Sequence, residues 1–241
     1  MSRDKGYKGI GMEGRIATWY AKNTWKDMAE FRRLADRFAQ ETPADSHILE
    51  VAPGPGYLSI ELAKRGQYAI TGLDISHSFV EIARANAQKA SVTVHFCHGN
   101  ASAMPFADGT FDLIVCRAAF KNFSQPLAAI DEMHRVLKPG GRAIIIDLRK
   151  DASMQDINAY ITKVGCGWFD SWLMRITFRF LLIPRAYTQE QFTQMAASSR
   201  FGRAEIHKVD IGFEIGFKKE LEYLGRQTLS TTPSPNARRA S

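Results

Sequence analysis

The residues best suited to chemistry concentrate in one block, HILEVAPGPGYLSIELA over residues 47–63. An apolar run ends at Val51, a turn of alternating proline and glycine follows, and a helical pattern opens at Tyr57. Glycine at positions 54 and 56 lets the backbone come close to a ligand, and the start of the following helix offers free N–H groups. Such a turn suits a nucleotide-like ligand, although G-x-G by itself has low specificity. Two further residues narrow the choice. The third glycine of a dinucleotide fingerprint would fall on Tyr57, so the pattern that cradles a pyrophosphate is not met. Asp74 closes the next apolar run, in ITGLDIS, where a carboxylate can accept hydrogen bonds from both hydroxyls of a ribose. Together they favour a ribose-bearing ligand that lacks a pyrophosphate.

Positioning these groups requires strands that end at Val51 and near Asp74. From 47 to 148 apolar runs of strand length alternate with helical patterns, which predicts β-α-β units and a mostly parallel sheet covered on both faces. Strands are expected at 47–51, 68–73, 92–97, 111–116 and 142–148. Helices are expected at 57–65, stopped by Gly66; from a capping box of Ser78 and Glu81 to about Ala90; and at 126–137. The ends differ. Residues 10–40 have helical spacing, with Trp19, Trp25, Met28, Phe31 and Leu34 as apolar anchors. One or two helices are expected in 151–185, and Thr188 with Gln191 caps another that ends near Gly202. Two antiparallel strands follow at 205–210 and 212–218. The polar, proline-containing tail STTPSPNARRAS has the composition of a disordered segment. The divisions are therefore a helical cap (1–45), a ligand-binding core (46–150), a helical insert over the acceptor (151–187), completion of the sheet (188–218) and a tail (219–241).

Read in order, LEVAPGPG, LDIS, HGNASAMPFADGTFDLIVC and EMHRVLKPGGRAIIID resemble the class I S-adenosylmethionine-dependent methyltransferases. The resemblance covers about residues 47–148 and implies a Rossmann-like, doubly wound, seven-stranded α/β fold with S-adenosyl-L-methionine as cofactor. By position it implies that Glu50, Ala52, Gly54 and Gly56 line the pocket around the methionine moiety. Asp74 would hold the ribose, Ile75 would pack on the adenine, and Asn100 with Ala101 would meet the adenine edge. The Arg117 carbonyl would meet the methionine amine, and Tyr20 would close over the cofactor. There are departures from the family's pattern. Its first glycine is Ala52 here, Asn100 stands for an aspartate, and prolines at 53 and 55 remove two N–H donors. An asparagine still offers a donor and an acceptor to adenine.

Within that family, CRAAFKNF followed by RVLKPGG is similar to the ubiquinone and menaquinone C-methyltransferases. Their Arg-Asn is Lys121–Asn122 here, their Glu-x-Ser after the fifth strand is Asp147–Leu148–Arg149, and their Tyr-Asp-x-Met-Asn signature is missing. In the insert, Phe169, Trp172, Leu173, Ile176, Phe180 and Ile183 share a helical face, either as core over the sheet or as a lid over an apolar or aromatic acceptor. Trp168, Trp172, Phe120 and Lys121 are the candidate acceptor contacts. If the acceptor must lose a proton, Asp147 and Tyr20 are candidate bases, and Lys121 would orient an anionic acceptor.

Composition bounds the alternatives. The chain has 241 residues, 45% hydrophobic and 24% charged, which suits one elaborated globular domain. Three scattered cysteines form no C-x-x-C pair, so neither a disulfide framework nor a zinc site is expected, and the setting reads as reducing and cytoplasmic. The histidines show no metal-ligand spacing. No transmembrane segment is expected, because the most apolar stretch, 167–183, is short and carries Asp170, Arg175 and Arg179. The net charge of +7 leaves a membrane surface or an anionic acceptor open as partners. No N/D-P-P-Y/F motif for base amines occurs, so a small or lipid-like acceptor is preferred to nucleic acid. A nicotinamide oxidoreductase is disfavoured by Tyr57, while a catalytically degenerate binding scaffold stays open through Ala52 and Asn100.

Overall fold

The computed structural model describes residues 6–8, 11–24, 28–165 and 167–221, without the Phe169 side chain. Trp25, Cys166 and the tail from 222 lie outside the described residues.

A seven-stranded sheet organises them: β1 (His47–Val51), β2 (Ala69–Asp74), β3 (His95–His98), β4 (Phe111–Arg117), β5 (Leu137–Leu148), β6 (Glu205–Val209) and β7 (Gly212–Lys218), in the order β3-β2-β1-β4-β5-β7-β6. The first five are parallel, and β7 runs antiparallel to β5 and β6. This is the doubly wound arrangement with an antiparallel end that the alternating pattern predicts. The order reverses at β1, so the ends of β1, β2 and β4 open a crevice where such sheets bind ligands.

Side chains alternate across each strand and so serve two cores. Ile48, Leu113 and Val115 pack beneath α2 (Met28–Glu41) and α3 (Tyr57–Ala63), with Phe31, Leu34, Phe38 and Leu58. Leu49, Val51, Ile114 and Cys116 face the other way. They pack with Ile130 and Met133 of α5 (Pro126–Val136) and Phe192 of α8 (Gln189–Ser198). The helix α2, expected as part of a cap, is thus one wall of the sheet's core. Of that expected cap, α1 (Gly14–Thr24) lies against α4 (His77–Lys89), where Tyr20 meets Phe79 edge-on at 5.7 Å.

Three local expectations need correction. The cap of α4 is Ser76, whose hydroxyl accepts from the Phe79 amide, while the Ser78 hydroxyl accepts from the Gly14 amide instead. The helix before Gly66 ends earlier, at Ala63, with Lys64 still right-handed at its C-terminus, so no left-handed glycine stops it. In the insert, α6 (Met154–Val164) and α7 (Trp168–Ile176) lead into a π-helical turn, Thr177–Leu182. Met174, Phe178 and Ile183 pack on Ile157 and Ile161 of α6. Trp172, Leu173 and Phe180 face outward. The segment is apolar on more than one face, so periodicity does not identify the buried one. Capping by Thr188 and Gln191 occurs as expected.

Candidate active site

At the crevice the chain turns left-handed three times within five residues: Ala52 (φ 56°), Gly54 (φ 55°) and Gly56 (φ 79°). Ala52 stands where the family carries glycine, and its methyl group accepts a conformation that costs an L-residue about 1–2 kcal/mol. The two glycines serve different ends. A Cβ at 54 would meet nothing within 4 Å, whereas a Cβ at 56 would lie 2.6 Å from the Phe96 ring and 3.0 Å from the Ala83 methyl. Gly54 therefore faces space into which a ligand can come, and Gly56 lets α3 pack against β3 and α4. Prolines 53 and 55 lack N–H groups, but their carbonyls accept from the Gly56 amide (3.0 Å) and from Asn86 Nδ2 (2.9 Å), which ties the turn to α4.

Two buried carboxylates brace this turn. Asp74 Oδ2 accepts from the Gly54 amide at 3.0 Å, and Oδ1 from the Ser76 amide at 2.9 Å. Burial pushes its pKa up to about 6, and the two amides only partly oppose that rise. Glu50 accepts from both the amide (2.9 Å) and the hydroxyl of Ser59, in the first turn of α3. Burial lifts its pKa to about 7, against the pull of Ser59 and of nearby Arg117. The Arg117 guanidinium lies 4.6 Å from the centre of the Phe31 ring. Through Oε2 alone, Glu50, expected at the pocket wall, ties the strand end to the helix start.

The positions expected for the adenine converge. A Cβ built on Gly6 would lie 2.4 Å from Ile75 Cδ1 and 2.9 Å from Asn100 Nδ2, so both side chains pack against the chain at Gly6. Asn100 Oδ1 accepts from the Ser102 amide at 2.9 Å, which leaves its NH2 group turned toward Gly6. An amino-terminal strap crosses here. The Lys8 amide donates to the Asn122 carbonyl (2.6 Å), and the Ser124 amide to the Gly6 carbonyl (3.3 Å). Farther along, Glu13 accepts from the His77 and Ser78 amides, both at 3.0 Å, and caps α4 from another part of the chain. Burial raises the Glu13 pKa, but its bonds to Ser78, Ser76 and His77 outweigh that and hold it below the usual range. Ser76 Oγ donates to the Met12 carbonyl at 2.6 Å. No sequence motif marked Glu13 or Ser59.

On the acceptor side, the structure brings together Lys121 and Asp147 but encloses both. Lys121 Nζ donates to Asp147 Oδ1 (2.8 Å) and to the Ala118 carbonyl. Asp147 also accepts from the Lys121 amide (2.8 Å) and the Leu148 amide (2.7 Å). The pair clamps the turn after β4, where Ala118 is left-handed (φ 57°). Phe120 is fully buried among Phe123, Tyr187 and Phe192, which makes it a packing residue. Lys8 Nζ donates to the Tyr187 hydroxyl at 2.9 Å and sits 5.3 Å from the centre of its ring. Trp168 and Trp172 lie on the outer face of the insert. Among the described residues no three metal-ligand side chains cluster, and no helix is long and apolar enough to cross a membrane. A separate cleft of about 660 Å3 lies at the amino-terminal ends of the strands, where the Lys138–Asp112 and Arg142–Glu41 pairs already neutralise each other.

Residues 49–145 match the methyltransferase domain family. The chain is 31% identical to the demethylmenaquinone methyltransferase of Chlorobaculum tepidum, over 76% of this chain and 75% of that one. It is 33% identical to the enzyme of the same name from Thermus thermophilus, over 55% of this chain. The matched region spans 58% of that relative, and 44% of a Deinococcus radiodurans demethylmenaquinone methyltransferase. Among solved structures, it superposes on a Methanococcus maripaludis protein provisionally assigned as an S-adenosyl-L-methionine-dependent methyltransferase. The TM-score there is 0.68 at 23% identity, covering 93% of this chain and 99% of the other. The left-handed turn after β1, the carboxylate ending β2 and the sheet order all agree with these likenesses: the chain belongs to the class I S-adenosylmethionine-dependent methyltransferases, in the group that includes the demethylmenaquinone methyltransferases.

Proposed function

We propose that the chain transfers a methyl group from S-adenosyl-L-methionine to a small, aromatic, lipid-like acceptor of the quinol type, working in the cytoplasm. The observation that carries the cofactor reading is the pairing of Gly54, which faces open space, with Asp74, whose carboxylate holds the Gly54 amide. A ligand entering that space meets a carboxylate at the end of β2, with Ile75 and Asn100 next along the crevice under the strap at Gly6. This is the order of groups that a ribose and an adenine require. The family relatives support the acceptor class, since the Chlorobaculum and Thermus enzymes are named for demethylmenaquinone.

When bound, the cofactor supplies a methyl group on a positively charged sulfur, open to in-line displacement. The chain's contribution is alignment and exclusion of water, which can supply much of the barrier reduction in such a displacement. Asp74 orients the ribose, and the left-handed turn at 52–56 lets the backbone come close beside it. The Lys121–Asp147 pair fixes the turn at Ala118, which stands at the carboxyl end of β4 between the two substrates. With Asp147 engaged by three donors, it serves as a positioning residue here and not as a base. The strap at residues 6–8, bonded to Asn122 and Ser124, covers the adenine side, and Lys8 over Tyr187 closes the acceptor side.

Parallel calorimetric titration with S-adenosylmethionine, S-adenosylhomocysteine and NADH tests the cofactor, and methyl transfer to a demethylated naphthoquinol tests the acceptor. Binding of the two sulfur compounds but not NADH, with transfer to the quinol, is the expected result. Binding without transfer to any quinol or phenol would favour the degenerate scaffold.

A further inference from the structure

Glu50 and Arg117 project from the same face of the sheet. Glu50 lies level with Val115 in the register of β1 and β4, and Arg117 follows two residues later, one step past the matched pair of Val51 and Cys116. Side chains alternate along a strand, so Val115 and Arg117 share the face that packs under α2 and α3. Both charges therefore stand at the carboxyl ends of their strands, beside the left-handed turn at Ala52 and Gly54. The Phe31 ring, which the Arg117 guanidinium faces, lies 5.7 Å from the ring of Tyr57, the first residue of α3.

Neither charge is matched by its surroundings. Glu50 is only 3% exposed, yet its hydrogen bonds, both from Ser59, go to Oε2. Among the described residues nothing donates to Oε1, and the Arg117 guanidinium makes no hydrogen bond or ion pair. Arg117 acts at a distance on two carboxylates, Glu50 and Glu30. Both Glu30 oxygens are engaged by Arg33, at 2.8 and 2.9 Å. A buried charged group left without a partner is costly, so an open acceptor and an open guanidinium side by side favour a ligand that satisfies both. Gly54, which faces open space, leaves room for one. A phenolic acceptor carries at most one of the two charges needed, whereas the amino-acid end of S-adenosylmethionine carries an ammonium and a carboxylate. We propose that the Arg117 guanidinium takes the carboxylate of that end while Glu50 Oε1 takes its ammonium. The proposal rests on the cofactor reading above. Arginine suits the task because its planar fork can give a carboxylate two parallel hydrogen bonds, and stacking on Phe31 orients the fork.

The test is calorimetric titration of the full chain with three ligands. They are S-adenosylhomocysteine, its decarboxylated form, which keeps the ammonium, and 5′-methylthioadenosine, which keeps nucleoside and thioether but neither charge. The parent should bind S-adenosylhomocysteine the most tightly of the three. Arg117→Gln should weaken it by about tenfold to a hundredfold, as loss of a hydrogen-bonded charge pair does, and should not weaken the other two. Arg117→Lys keeps the charge without the fork and should lose less. Glu50→Gln should weaken both amine-bearing ligands and spare methylthioadenosine. The proposal is overturned if the parent binds methylthioadenosine as tightly as S-adenosylhomocysteine, or if Arg117→Gln binds S-adenosylhomocysteine like the parent. It is overturned equally if Arg117→Gln weakens all three ligands alike, the mark of a purely structural role, or raises only the KM of the methyl acceptor. A parent that binds none of the three refutes the cofactor reading itself and this proposal with it, so the two failures are told apart.

Discussion

Replacing Lys121 with methionine removes one partner of an enclosed ion pair. The Lys121 and Asp147 side chains are 4% and 1% exposed, so water replaces neither partner cheaply. Methionine fills much of the lysine stem's volume and isolates the loss of the ammonium. Asp147 would keep the Lys121 and Leu148 amides as donors but would carry its negative charge without the cation. Breaking a buried pair from one side costs about 3–5 kcal/mol. With two amides still in place, the lower half of that range, about 3–4 kcal/mol, is expected. For a chain of this size each kcal/mol lowers the melting temperature by about 2–4 °C, so a drop of about 6–16 °C should appear. Asp147→Leu should cost at least as much by leaving the ammonium unpaired. The Lys121→Met, Asp147→Leu double variant should lose far less than the sum, because no isolated charge remains. Urea unfolding of the four proteins, read as a double-mutant cycle, measures this coupling. Single variants within about 0.5 kcal/mol of the parent, or strictly additive losses, would refute the clamp.

Two further predictions concern the glycine turn and the carboxylates behind it. Gly56→Ala should destabilise the fold, by about 1–3 kcal/mol, through overlap with Phe96 and Ala83. Gly54→Ala should cost only the left-handed penalty, about 1 kcal/mol, yet block cofactor binding; thermal melts paired with calorimetry separate the two, and the reverse pattern would sink the assignment. Asp74 and Glu50 have pKa values raised to about 6 and about 7, so the folded chain holds their protons more tightly than the unfolded chain does. Their contribution to stability is therefore fully present below about pH 4 and declines as pH rises toward 7. Cofactor affinity should move oppositely, improving as pH rises through about 6 and Asp74 becomes an acceptor-only carboxylate. Glu50→Gln should flatten the upper part of the stability decline while leaving the affinity transition near pH 6; an unchanged stability profile would count against burial as its cause.

Much of this was legible in the chain alone. Alternating strands and helices gave the parallel core, because a strand buried on both faces and a helix with one apolar stripe each leave a local signature. His47–Val51 begins and ends where the pattern puts it, and so does the capping box at Thr188. Asp74 and the turn at 52–56 could be found for the same reason: a backbone that must turn left-handed and a carboxylate at a strand end lie within one contiguous block. What tertiary structure decided were the contacts made across the sequence. Gly54 and Gly56 look alike in a motif, and only the ring of Phe96, forty residues away, tells the packing glycine from the one facing open space. Lys121 and Asp147 read as catalytic candidates because each carries a reactive group near a strand end, but chemistry depends on what faces that group, and here each faces the other. The insert shows the same limit in reverse. Its residues are apolar around much of the helix, so periodicity identifies a helix without choosing its buried side. That choice fell to Ile157 and Ile161 of α6, which receive Met174 and Phe178 and leave Trp168 and Phe180 facing outward.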